Sequence, residues 1–349
     1  MDLSNPMTTQ PTVGRFAPSP TGHMHLGNIF SSLGAWLAAR STGPQSRIIL
    51  RIEDIDTPRA VKDADKWIMD DYDWLGLTWD GEPVYQSQRY DLYHHAIEQL
   101  QSQTFNDHTE HLLFPCYCTR RELRAASAPQ ETDGFIIYPG TCRHYASAPS
   151  TAPQERHSLR LAMPSPDSHS NRIHFTDLLY GDQYWNLAQQ IGDLVVQRSD
   201  GIIAYQLAVT VDDLQQGVTQ VIRGNDLLRS TAAQLWIHTC LMKNHPVNDR
   251  QITYGHLPLL RSFDGHRLAK REQSLDIATL RRNGVTAQQI IGYCAWLLGC
   301  QDSEIPIPCT PQECCSSFSW DAIRQSRWGC DDRCLDRNVF DIAWWKSWK

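Results

Sequence analysis

The sequence predicts an α/β protein built on a doubly wound parallel sheet. Three observations carry this. Residues 13–17 and 46–52, the latter rich in β-formers, read as short buried strands. Each is followed by a stretch whose apolar residues recur at helical spacing, first Leu26, Ile29, Phe30, Leu33 and Leu37, then Val61, Ala64, Ile68, Tyr72 and Leu75. The resulting strand-helix-strand-helix order is that of crossover-connected, parallel strands.

Residues 1–12 are polar and read as a loose tail. The first strand, 13–17, is broken by Pro18, Pro20 and Gly22, and a helix opens at His25. A strand-turn-helix junction presents backbone N–H groups and the positive end of a helix dipole, which suits phosphate. Gly27 lets a ligand approach the backbone, and His25 can donate to a phosphate oxygen. The helix stops at Ser41-Thr-Gly-Pro44. The second strand leads into Arg51-Ile-Glu-Asp-Ile-Asp56, a carboxylate cluster at a strand's C-terminal end, where open α/β sheets bind ligands. Glu53 is the candidate ligand for an ammonium or a ribose hydroxyl; Asp54 or Asp56 caps the next helix. A third helix is expected over 87–100.

Residues 114–191 read as an insertion. Thr119 and Glu122 form a capping box for a short helix. Cys116, Cys118 and Cys142 can supply three ligands of a zinc site, with Tyr138, His144 and Asp133 available as the fourth. A Pro/Ser/Ala linker covers 147–154, and strands are expected at 157–162 and 172–176. Buried-strand character returns at 192–198. The run 202–211, which holds Tyr205, reads as strand-like, and 218–223 is another strand, so that Tyr205 and Arg223 fall near strand ends. A helix carries Leu228, Ala232, Leu235, Thr239 and Met242.

Residues 254–270 look like a hairpin turning at Asp264-Gly265 and ending in the basic loop Arg267-Leu-Ala-Lys-Arg271. Thr286 and Gln289 cap a helix running to Leu298. The stretch 301–349 is rich in tryptophan (Trp320, Trp328, Trp344, Trp345, Trp348) and cysteine (Cys314, Cys315, Cys330, Cys334). These read as packing residues, with Cys330 and Cys334 spaced as on one helix face.

Composition narrows the class. A chain of 349 residues, 41% hydrophobic and 20% charged, has the length for two or three domains and the make-up of a soluble globular protein. There is no membrane-length apolar run and no signal peptide pattern. The net charge of −7 gives no sign of nucleic-acid binding, without excluding a local basic groove. Eleven cysteines without a secretory context read as reduced cytosolic thiols or metal ligands. No G-x-G-x-x-G follows the first strand, which argues against a dinucleotide-binding dehydrogenase.

Residues 15–28, 50–56, 193–213, 221–226 and 267–271, in order and well spaced, resemble those of glutamyl-tRNA synthetases, class I enzymes with a Rossmann core. His25-Leu-Gly-Asn28 is similar to the class I signature, with Asn28 in place of its second histidine. Arg267-Leu-Ala-Lys-Arg271 is similar to the mobile lysine loop and retains Lys270. The 78 residues of 272–349 are too few for the family's connecting fold plus its anticodon-binding region. The shortened form resembles the glutamyl-queuosine tRNA(Asp) synthetase family. The zinc pattern fits too and moves Tyr138 ahead of His144.

The resemblance implies a Rossmann-like parallel sheet with a zinc-containing insertion and a small, mostly helical C-terminal region. It divides the chain into core halves at 13–113 and 192–250, an insertion at 114–191, a lysine-loop connecting domain at 251–300, and the C-terminal region 301–349. It implies ATP-dependent activation of glutamate and its transfer to queuosine in the anticodon of tRNA(Asp). Arg15, Phe16, Ala17, Pro18, Ser19, Glu53, Tyr205 and Arg223 would surround glutamate. His25, Gly27, Asn28 and Lys270 would attend ATP, with His25 and Lys270 catalytic and Mg²⁺ accompanying the nucleotide. Zn²⁺ would be held by Cys116, Cys118, Tyr138 and Cys142. The expected protein is a cytoplasmic monomer with no membrane partner. A reduced glutamyl-tRNA synthetase charging tRNA(Glu), and a non-catalytic tRNA-binding paralogue, are the alternative readings.

Overall fold

A computed structural model of the chain describes residues 11–56, 60–105, 110–119, 121–123, 137–143, 156–243, 252–262, 265 and 276–335. The first strand, β1 (Val13–Phe16), leads into α1 (Leu26–Arg40), then β2 (Arg47–Ile52), α2 (Ala64–Leu75), β3 (Val84–Tyr85) and α3 (Tyr90–Gln101). β1, β2 and β3 are parallel neighbours, with Arg15 opposite Ile49 and Ile52 opposite Tyr85. The expected strand-helix alternation is therefore present, and helix α3 starts after a 3₁₀ turn over Gln86–Gln88. A short antiparallel pair follows, β4 (Thr104–Phe105) with β5 (Glu110–His111).

Next come β6 (Leu113–Cys116), β7 (Ser158–Leu161), β8 (Arg172–Asp177), β9 (Gly181–Asn186) and β10 (Leu194–Gln197). β6, β7 and β10 make a three-stranded antiparallel sheet. The chain then forms α4 (Tyr205–Gln215), β11 (Gln220–Gly224), α5 (Leu228–Met242), β12 (Thr253–Leu257) and β13 (Leu260–Arg261). β11 and β12 are parallel in register, Arg223 facing His256. β8 joins β12 at Asp177 and Tyr254, and β9 closes that sheet antiparallel. β1 adjoins β11, the Thr219 N–H donating to the Val13 carbonyl at 2.9 Å. Two sequence boundaries shift as a result. β8 and β9, expected inside the insertion, pair in the central sheet, and β10, expected in the core, pairs with β7. A strand's place in a sheet depends on long-range pairing, which local composition does not record.

One further expectation is corrected. Residues 205–215 are helix rather than strand, so Tyr205 is the first residue of α4. Its β-branched residues Val209, Thr210 and Val211 are all buried, so packing outweighed a propensity worth a few tenths of a kcal/mol. Of the hairpin expected over 254–270, the arm after the turn, 266–270, lies outside the described residues; Gly265, with a left-handed φ of 76°, closes a turn onto Ser262. Before that turn, β13 runs parallel to β14 (Arg333–Cys334).

The C-terminal part contributes α6 (Ile277–Arg282), α7 (Ala287–Leu297), α8 (Pro311–Cys314) and α9 (Trp320–Gln325). Thr286 and Gln289 do cap α7 reciprocally. These helices cover α1, whose residues 33–39 are all buried, so α1 lies between the sheet and this layer with almost no polar face. Close approach sets one glycine here: a Cβ on Gly34 would sit 2.4 Å from Leu257 Cδ1. Trp296 and Trp328 meet edge to face at 4.6 Å, and Trp320 packs on the same core. Cys330 and Cys334 do not share a helix; Cys334 is exposed on β14. Trp344, Trp345 and Trp348 lie outside the described residues. Among those residues no helix is long and apolar enough to cross a membrane.

Candidate active site

The carboxyl ends of β1 and β11 converge on one cavity of about 220 Å³, lined by Arg15, Phe16, Ala17, Pro18, Asn28, Tyr72, Tyr205 and Arg223 among others. Parallel packing produces this convergence, because every strand of a parallel set ends on the same edge. The Pro18 carbonyl accepts from the Glu53 N–H at 3.0 Å, which ties the end of β1 to the end of β2. Phe16 stacks on Tyr72 at 4.6 Å between ring centres. A larger cavity of about 790 Å³ adjoins it, reaching from Ser19, Glu53 and Tyr205 to Arg160 and Cys118 of the insertion.

Arg15 is buried; its Nη1 donates to the Ile222 carbonyl at 3.2 Å, and its Nε lies 3.7 Å from Asp213. Burial lowers its pKa, opposed chiefly by Asp213. Beneath it lies Arg51, fully buried, which donates to Asp213 at 2.6 Å, Gln216 at 2.9 Å and Glu53 at 3.2 Å, with Asp212 at 3.8 Å. Burial pulls the Arg51 pKa down, but Asp213, Glu53 and Asp212 override it and raise it. At Glu53 desolvation wins, raising its pKa against the pull of Arg51 and Arg15. Asp212 accepts from Gln86, Arg89 and Tyr93 as well. Arg51, Asp212 and Asp213 are thus the floor of the site, and sequence reasoning gave none of them a role. The signal was present, since two of them stand adjacent in a stretch that carried the family resemblance.

Arg223, on β11, is also buried. Its Nε and Nη2 are engaged by His256 and Thr231, while Nη1 is buried without a hydrogen-bond partner. Tyr205 is 39% exposed, and its hydroxyl end is the part that feels the site: its pKa is raised by desolvation first and by Glu53 next. Arg15, Glu53, Tyr205 and Arg223, spread over more than 200 residues of sequence, are therefore neighbours.

His25 is the N-cap of α1. Its Nδ1 accepts from the Gly27 N–H at 3.1 Å, and Asn28 Oδ1 accepts from the His25 N–H at 3.0 Å. This capping box corrects the expectation of an open cradle of amides there, because the Gly27 N–H is spent on the histidine ring and the Asn28 N–H bonds the His25 carbonyl at 2.8 Å. It also settles the ring: a neutral imidazole that accepts at Nδ1 carries its proton on Nε2. Asp276 pairs with His25 across an isolated antiparallel bridge, and the Ile277 N–H donates to the Met24 carbonyl at 2.9 Å. Lys270, with the rest of its loop, lies outside the described residues.

In the insertion, the sulfurs of Cys116, Cys118 and Cys142 all lie within 4.8 Å of one another. Cys118 and Cys142 are 3.6 Å apart, and the Tyr138 hydroxyl is 3.5 Å from Cys116 Sγ and accepts from the Cys142 N–H at 2.7 Å. A tetrahedral zinc with Zn–S of about 2.3 Å sets its thiolates about 3.8 Å apart, so the spacing fits. Burial, and the neighbouring thiols after it, push Cys118 up to about 11; a divalent cation reverses that cost. Arg160 stacks on the Tyr138 ring at 3.8 Å. His144 and Asp133 lie outside the described residues.

Comparison with known proteins agrees with this geometry. Residues 12–337 match the family model described as tRNA synthetases class I (E and Q), catalytic domain. A glutamyl-Q tRNA(Asp) synthetase of Nitratidesulfovibrio vulgaris is 42% identical over 320 residues, covering 88% of this chain and 91% of the relative. One from Symbiobacterium thermophilum is 42% identical over 319 residues, covering 86% and 90%. Among solved structures, a glutamate tRNA ligase from Elizabethkingia meningosepticum in complex with its amino acid superposes with a TM-score of 0.74 at 24% identity, covering 96% of this chain and 69% of that one, which speaks for the fold.

Proposed function

This chain belongs to the class I tRNA synthetase family for glutamate and glutamine, in its glutamyl-Q tRNA(Asp) branch, and from that premise we propose that it activates glutamate with ATP and transfers it to queuosine in the anticodon of tRNA(Asp). The carrying observation is the pair of buried arginines, Arg15 and Arg223, on one small cavity, with the Arg223 Nη1 unpartnered. A buried, unmatched guanidinium N–H calls for an anion, and a planar fork suits a carboxylate.

In the first step a carboxylate oxygen of glutamate attacks the α-phosphorus of ATP and pyrophosphate leaves, giving the mixed anhydride glutamyl-adenylate. Arg15 and Arg223 hold the carboxylates, Glu53 takes the ammonium, and Tyr205 walls the pocket, with Phe16, Ala17, Pro18 and Ser19 completing the contour. Ionisation of Glu53, disfavoured by burial, becomes favourable once the ammonium arrives. The difficulty in this step is negative charge accumulating on phosphate, which positioned donors stabilise. His25 Nε2, aimed by its own capping bond, serves that purpose, beside Gly27 and Asn28. Lys270 would neutralise the departing pyrophosphate. It is six residues from Asp276, and so no more than about 22 Å of chain from the residue that bridges to His25. Mg²⁺ arriving with ATP would share the phosphate charge.

In the second step a hydroxyl of queuosine attacks the activated carbonyl and AMP leaves. The larger cavity, open between the core and the insertion, gives the acceptor access to Glu53 and Tyr205. Zn²⁺ on Cys116, Cys118, Tyr138 and Cys142 would fix the insertion's shape and take no part in the chemistry. The protein is proposed to work as a monomer in the cytoplasm.

The test of the first step is ATP–pyrophosphate exchange. Glutamate should support it and glutamine should not, since a neutral amide leaves a guanidinium underpaired. Exchange that is indifferent to the two amino acids would refute the pocket assignment.

A further inference from the structure

Arg223 and His256 are register partners on the parallel strands β11 and β12, and Asp177 ends the next strand, β8. His256 is fully buried, and its Nδ1 is 2.7 Å from Asp177 Oδ2, itself fully buried. The other oxygen, Asp177 Oδ1, accepts from the Leu179 and Tyr180 N–H groups, each at 3.0 Å. The direction of this chain of bonds is determined. Arginine can only donate, so Nε2 of His256 accepts from Arg223 Nε at 3.2 Å. The ring proton then sits on Nδ1 and is donated to Asp177. Beside it, 3.2 Å from the same His256 Nε2, Thr231 Oγ1 accepts from Arg223 Nη2 at 2.7 Å. Two of the three guanidinium nitrogens are thus tethered, and the third, Nη1, is the buried one left without a partner.

We propose that His256, held by Asp177, is a positioning residue that fixes the rotation of the Arg223 guanidinium so that Nη1 faces the glutamate carboxylate. The proposal rests on the reading above, in which Arg223 binds glutamate. A guanidinium free to turn would have to be ordered each time the amino acid binds, and that cost appears in affinity. Held by His256 and Thr231, it is ordered before the substrate arrives. The histidine itself adds no charge: burial keeps His256 neutral against the pull of Asp177, so the pocket presents one cation at this position.

Two substitutions separate positioning from packing. In His256→Asn the amide nitrogen stands near Nδ1 and can still serve Asp177, but the acceptor for Arg223 is lost. In His256→Gln the amide oxygen reaches the place of Nε2 and keeps that acceptor. In glutamate-dependent ATP–pyrophosphate exchange, His256→Asn should raise the KM for glutamate about tenfold, with kcat and the KM for ATP within about twofold. His256→Gln should stay within about threefold of the parent. The proposal is overturned if His256→Asn leaves the glutamate KM within about twofold, or if both variants depress every constant alike. Should His256→Asn fail to fold, the isosteric Thr231→Val carries the test, with a rise of about threefold expected in the same KM and an unchanged KM overturning the proposal. A parent protein with no glutamate-dependent exchange would sink the glutamate reading itself, and this proposal with it. A normal parent and an unmoved His256→Asn sink this proposal alone.

Discussion

Arg51→Met is the substitution that most severely tests the electrostatics beneath the site. Arg51 is fully buried and meets Asp213 at 2.6 Å, Glu53 at 3.2 Å and Asp212 at 3.8 Å. Methionine fills much of the same volume, so the loss is of charge rather than packing. Asp212 keeps Arg89 at 2.7 Å together with Gln86 and Tyr93. Glu53 and Asp213 are left sharing Arg15, whose Nε is 3.7 Å from Asp213. Breaking a buried pair on one side strands its partner, which costs about 3–5 kcal/mol. Part of that cost disappears if the stranded charge goes too, so Asp213→Asn in the Arg51→Met background should restore about 1–2 kcal/mol, while the same change in the parent destabilises it. Urea denaturation followed by far-ultraviolet circular dichroism reads both, from midpoint and slope. A loss below about 1 kcal/mol for Arg51→Met, or an Asp213→Asn effect of the same sign in both backgrounds, would refute the reasoning.

Arg223→Ala should lower kcat/KM for glutamate in the exchange reaction by at least about 30-fold, equivalent to about 2 kcal/mol, and near-parental exchange would remove Arg223 from the site. The purified protein should carry one zinc per chain by metal analysis; Cys142→Ala should abolish it, and Tyr138→Phe should weaken retention against a chelator while keeping the ring beneath Arg160. Zinc held equally well by Tyr138→Phe would exclude the phenol as a ligand. Burial holds the His256 pKa below the ordinary histidine value, so below that value the unfolded chain takes up a proton that the folded one does not. Stability contributed by this residue is therefore present above about pH 6.5 and is lost as pH falls through the folded pKa. The thermal midpoint should accordingly fall less in His256→Gln than in the parent between about pH 7.5 and 5.5, and equal falls would contradict a buried neutral histidine.

The parts of this fold readable from sequence are those whose cause is local. The capping residues Thr119, His25 and Thr286 stand where chain geometry needs them, and α1, α2 and α7 show in the spacing of their apolar residues. The thiols of Cys116, Cys118 and Cys142 come together as their types suggested, and the phenol of Tyr138, which only the family resemblance favoured, lies beside them. What escaped was decided by distant pairing. Tyr205 opens a helix because its β-branched followers are buried between α3 and α5. β8 and β9 belong to the central sheet because β12 reaches them. Asp177, His256 and Thr231 each look ordinary in sequence, and only the register of three strands, with α5 following β11, makes them a support for Arg223. His25 shows the same limit at short range: its place at a helix start was legible, but its use of its own Gly27 amide was not.

The central claim is that glutamate, once activated, is joined to a modified anticodon base. Charging of total bacterial tRNA with labelled glutamate, followed by digestion and mapping of the labelled nucleotide, tests it most directly. Label on queuosine from tRNA(Asp) is the predicted result; label on the 3′-terminal adenosine of tRNA(Glu) would contradict it.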